Sequence, residues 1–79
     1  MIHARKDYAH IQDPSGKIPE DEPVFLIRGQ DVLGPVTLEF WANKLKQRGG
    51  DPKMEKMVRD HADAMMDWQN KNTCKLPDL

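Results

Sequence analysis

Gly49-Gly50-Asp51-Pro52 is the stretch whose reading decides the fold. Paired glycines suit the residues just past a helix C-terminus, where a left-handed backbone is needed. An aspartate followed by proline suits the start of the next helix, as N-cap and first helical position. Downstream, Met54, Met57, Val58, His61, Met65 and Trp68 share one helical face, while Arg59, Asp60, Asp63 and Asp67 occupy the other. Glu55–Arg59, Lys56–Asp60 and Arg59–Asp63 are i,i+4 pairs of opposite sign. The spacing predicts a helix over residues 52–70. Upstream, Leu38, Trp41, Ala42 and Leu45 recur at i, i+3, i+4 and i+7 behind the opening Gly34-Pro35, which predicts a helix over 35–48. So short a connection makes the two helices an antiparallel hairpin.

Trp41 and Trp68 fall on the expected inner faces and read as core. Met54, Met57, Met65 and Met66 read as an adaptable packing seam. Val36 and Phe40 lie across the first helix from its main stripe, so that helix is either sandwiched or at a subunit contact. Beyond Trp68 the polarity rises and Pro77 stops regular structure, so residues 71–79 are expected to fray.

Ahead of the hairpin, Val24-Phe25-Leu26-Ile27 is the most apolar run, bounded by Pro23 and Gly29. Its length and composition predict a short buried strand over 24–28. One strand cannot satisfy its own backbone, so it must pair with the N-terminal arm or with a second copy. Residues 1–23 read as an extended arm with a type I turn at Asp13-Pro14-Ser15-Gly16. The expected architecture is mainly α with a minor β component, in a single domain over 1–79.

Seventy-nine residues lie near the lower limit for independent folding. Such a chain has a core worth roughly 3–5 kcal/mol at best, and usually needs a disulfide, a metal or a partner subunit. Only one cysteine, Cys74, is present and no metal-ligand spacing is visible, so self-association into a homo-oligomer is the expected support. Twelve basic against thirteen acidic residues give a formal charge of −1. That balance excludes a general nucleic-acid binder, which needs a basic surplus to release counterions. No apolar run is long enough to span a membrane. The start, Met1–Asp7, lacks the apolar stretch of a secretion signal, and with one cysteine the expected compartment is a reducing cytoplasm.

Catalysis has no candidate. Ser15 is the sole serine and sits in a turn without an activating base, and Cys74 lies in the tail. The histidines show no ligand spacing with Cys74, and no glycine pattern matches a phosphate loop. Neither an enzyme nor a cofactor or metal is expected. Three places can instead bind a ligand. Arg28-Gly29-Gln30-Asp31 follows the apolar run and precedes a helix: Arg28 offers a planar fork to phosphate, and Gln30 and Asp31 can read base edges or ribose hydroxyls. The bland alternative is an Arg28–Asp31 ion pair closing a turn. Arg5, Lys6, Tyr8, His10 and Gln12 combine cations with an aromatic, which suits a phosphate and a stacked base, unless they are a solvated terminus. His61 interrupts an apolar stripe, as a ligand contact or as a satisfied core histidine.

The block from Ile18 to Trp41, Ile-Pro-Glu-Asp-Glu-Pro-Val-Phe-Leu-Ile-Arg-Gly-Gln-Asp followed by Phe-Trp-Ala, resembles short proteins of phages and their bacterial hosts. The resemblance covers about a third of the chain and carries over no site residues. It implies action by binding, as an inhibitor of a host defence complex or a sponge for a nucleotide signal. The expected function is a small homo-oligomeric, phage-type counter-defence protein that sequesters a small anionic, nucleotide-type ligand through Arg28, Gln30 and Asp31, with Tyr8, His10 or His61 contributing. The alternative is a protein-interaction module that blocks or bridges a host complex, carried by Val36, Phe40 and the acidic run Glu20-Asp21-Glu22. A third reading is an accessory subunit with no ligand.

Overall fold

The computed structural model describes residues 1–8, 13 and 15–78. In chain order it contains β1 (Ile2–His3), a 3-10 turn (Lys6–Tyr8), β2 (Pro23–Val24), α1 (Gly34–Gln47) and α2 (Pro52–Lys71). The fold is mainly helical, with α1 packed on α2 as a helical hairpin beside a two-stranded parallel sheet. Both helix boundaries fall within one residue of those the sequence predicts.

The turn between the helices follows from its residues. Gly49 takes φ +74°, the left-handed conformation that side chains disfavour. There the Gly49 N–H donates to the Lys46 carbonyl at 3.0 Å and the Gly50 N–H to the Leu45 carbonyl at 2.9 Å, which closes the last turn of α1. Asp51 then caps α2: its Oδ1 accepts from the Lys53 N–H at 2.8 Å, with Pro52 at the first helical position. Asp51→Ala should therefore cost about 1 kcal/mol, read as a lowered melting temperature at unchanged helix content.

Small residues set the helix contact. Ala42 and Ala62 are fully buried, and Met65, 8% exposed, is the largest buried side chain among the described residues. Gly34, at the start of α1, leaves room for Met65, whose Sδ would lie 3.2 Å from a Cβ placed there. Arg59 clamps the pair. Its guanidinium donates to Glu55 at 3.0 Å on its own helix, and to Glu39 at 2.7 Å and Asn43 at 2.9 Å on α1. The Glu55–Arg59 and Lys56–Asp60 pairs form as the spacing predicts. The Arg59–Asp63 pair does not, because Arg59 reaches across to α1 instead.

Three expectations are corrected. Regular strand covers only Pro23–Val24, in parallel register with Ile2–His3, and Phe25 is 75% exposed. The arm supplies two residues before turning into the 3-10 segment, so residues 25–28 have no ladder to join. Among the described residues the tail is held at Lys75 rather than frayed: Lys75 bridges to Asp31, with Val32 N–H donating to the Lys75 carbonyl at 3.0 Å and Lys75 N–H to the Gln30 carbonyl at 2.9 Å. Those two unpaired groups of the loop before α1 offered the tail its partners. Finally, Trp41 and Trp68 are 46% and 45% exposed, and Met54, Met57 and Met66 are exposed as well. Two helices meeting through alanines bury a narrow seam, and the large side chains flank it without a third layer to cover them.

Candidate functional site

Three segments far apart in sequence enclose a cleft of about 130 Å³: Arg5 and Tyr8 from the N-terminal arm, Phe25, Leu26, Arg28, Gln30 and Asp31 from the loop before α1, and Lys75, Pro77 and Asp78 from the tail. The tail bridge described above closes one side. From α2, the Gln69 side-chain amide donates to the carbonyls of Gly29 at 2.9 Å and Asp31 at 2.8 Å, pinning the loop to the helix.

Arg5 builds the opposite wall. Its guanidinium binds Asp7 through two hydrogen bonds of 3.0 and 2.9 Å, donates to the Asp78 carbonyl at 2.6 Å, and sits 5.1 Å from the centre of the Tyr8 ring. The hydrogen bonds from Arg5 hold the Asp7 carboxyl below its ordinary range. This pair is complete above the usual aspartate pKa of about 3.9 and is lost as pH falls through the lowered value. Lys75 pairs with Asp78 at 3.1 Å.

Arg28 is different. Among the described residues it makes no side-chain hydrogen bond or ion pair, although its charge adds a lesser attraction at Asp7. The alternative, an Arg28–Asp31 ion pair, does not form: the Asp31 N–H donates to the Arg28 carbonyl at 3.0 Å, but the Asp31 carboxylate accepts from the Leu33 N–H at 2.8 Å. Asp31 thus supports the entry to α1 through one oxygen. Gln30 is half-buried, and its amide has no protein partner among the described residues.

The structure therefore brings Arg5, Tyr8, Arg28, Gln30 and Asp31 to one place and adds Lys75. The tail's part was missed for want of any local signal, since backbone pairing over more than forty residues leaves no mark in composition. Lys6 faces a separate open hollow with Met1, Ile2, His3 and Asp13. His61 lies elsewhere, in an apolar groove of about 490 Å³ with Trp41, Met54 and Met57. His10 and Gln12 are outside the described residues. Among the described residues, no group of three or more His, Cys, Asp or Glu side chains can hold a metal ion, and no helix is long and apolar enough to cross a membrane.

Chemically, the cleft offers one guanidinium and one amide that are unpaired among the described residues, and an aromatic ring with a cation over one face. Its volume is below the roughly 300–1,000 Å³ of sites for drug-sized ligands, so it fits a phosphate or a base rather than a whole nucleotide. No family model matches this chain, and neither a curated protein nor a solved structure gives a match.

Proposed function

We propose that the chain is a small homo-oligomeric binding protein that sequesters a small anionic, nucleotide-type ligand in the cleft around Arg28. The observation that carries this reading is Arg28, which among the described residues is the cleft's one cation without an ion pair. A solvated guanidinium beside an unpartnered amide is poised to exchange water for a phosphate's oxygens, and charge-assisted bonds of that kind are the strong ones. Arg28 takes the phosphate, Gln30 and the outer oxygen of Asp31 meet base or ribose, and Tyr8 gives a stacking face. One chain's cleft holds only part of a nucleotide, its phosphate or its base, and the remainder lies outside the cleft. A counter-defence role in a host cytoplasm, with the ligand as a defence signal, rests on the resemblance of residues 18–41 to phage proteins.

Calorimetric titration with mono-, di- and cyclic nucleotides tests the reading. At least one is expected to bind, and Arg28→Ala should weaken it by about tenfold to a hundredfold, the worth of a hydrogen bond to a charged group. Silence across the panel, or an Arg28→Ala variant equal to the parent, would defeat it. The second reading, a protein-interaction module, is favoured by Val36 and Phe40, which are exposed on the outer face of α1. Capture of one stoichiometric host protein, lost in Phe40→Ser, would select it instead.

A further inference from the structure

Helix α2 carries a second apolar seam that its own chain leaves open. Met54, Met57, His61, Ala64 and Trp68 follow the alternating three- and four-residue spacing of coiled-coil core positions. All five are exposed, Met57 by 56%. The inner seam, Val58, Ala62, Met65 and Gln69, is one residue out of step and faces α1 and the loop before it. Beside the outer seam, charge changes sign along the helix. Lys53 and Lys56 flank its first half, and Asp60, Asp63 and Asp67 its second. Among the described residues, Lys53, Asp63 and Asp67 form no ion pair, whereas Lys56 holds Asp60 at 2.6 Å.

We propose that this seam is covered by the same seam of a second copy, with the two α2 helices antiparallel and crossing at His61. The pattern becomes self-complementary only in that arrangement. A two-fold axis at His61 sets Met54 against the partner's Trp68 and Met57 against the partner's Ala64, a large side chain over a small one. The same axis brings Lys53 and Lys56 beside the partner's Asp67 and Asp63. A parallel pairing would instead set the charged flank Lys53, Asp60 and Asp67 against the partner's opposite flank, where Val58 and Met65 offer no opposite charge. The demand for a cover comes from the small interior, in which Met65 is the only large apolar side chain buried among the described residues. Because the same patch serves both chains, the contact closes at two copies. It lies on a different face from the Arg28 cleft, so it goes beyond the ligand reading and stands or falls apart from it.

Sedimentation of the parent protein should give a particle of twice the 9.1 kDa chain mass. Met57→Glu is expected to reduce it to one chain. The pair Lys53→Glu and Lys56→Glu should weaken association about tenfold by setting like charges together, and adding Asp63→Lys and Asp67→Lys should restore it. Lys56→Glu also breaks the pair with Asp60, and because the four-fold variant keeps that break, only regained contacts between chains can account for its restoration. In a Cys74→Ser background, His61→Cys should oxidise to a linked dimer. A parent that sediments as a single chain at every concentration would overturn the proposal. So would a dimer indifferent to Met57→Glu, or one that the four-fold charge exchange fails to restore.

Discussion

Met65→Ala is expected to leave most of the chain unfolded at room temperature. Met65 lies between the helices and against Gly34 at the start of α1, and no larger buried side chain exists among the described residues. Truncating a buried methionine to alanine costs about 2–5 kcal/mol, part from lost transfer energy and part from the cavity left behind. A chain of this size holds roughly 3–5 kcal/mol in its core. The loss therefore rivals the whole. Met66 is the internal control: it is exposed on the neighbouring position, and Met66→Ala should shift stability by no more than about 0.5 kcal/mol. Urea titration followed by far-ultraviolet circular dichroism reads both. A Met65→Ala variant that melts within a few degrees of the parent would show that the interior lies elsewhere.

The second large effect is expected at Gln69, because one side chain there joins the fold to the cleft. Its amide holds the carbonyls of Gly29 and Asp31, the residues on either side of Gln30. Gln69→Leu keeps the volume but removes both donors. Asp31's carbonyl retains the Gly34 N–H at 2.9 Å, while that of Gly29 loses its side-chain donor. The expected cost is about 1–3 kcal/mol. Backbone amides of Asp31, Val32 and Gly34 should exchange faster with solvent, and any ligand of the cleft should bind more weakly although Gln69 does not line it. Unchanged exchange at those amides would mean that the loop is held by the tail bridge alone.

The hairpin was legible because its signals are local. Gly49 must adopt a left-handed backbone, Asp51 must cap, and the apolar period marks both helices; each works within a few residues. The strand was legible only as a candidate. Val24 pairs with His3 across some twenty residues, and how far the ladder runs depends on where the arm bends, which composition does not encode. The exposed tryptophans were misread for a related reason. Periodicity identifies an apolar face but not how much of it a neighbour covers, and a contact built on Ala42 and Ala62 covers little. In the cleft, Arg28, Gln30 and Asp31 stood out as polar residues between an apolar run and a helix. Lys75 and Asp78 did not, since a polar tail beyond a helix reads as solvated unless its backbone partner is known.

Backbone amide resonances of the isotope-labelled chain, followed during titration with the tightest nucleotide of the panel, test the ligand cleft most directly. Shifts confined to Arg5, Tyr8, residues 28–31 and Lys75 are the predicted result. Shifts gathered instead around Trp41, Met57 and His61, or none at any nucleotide concentration, would contradict it.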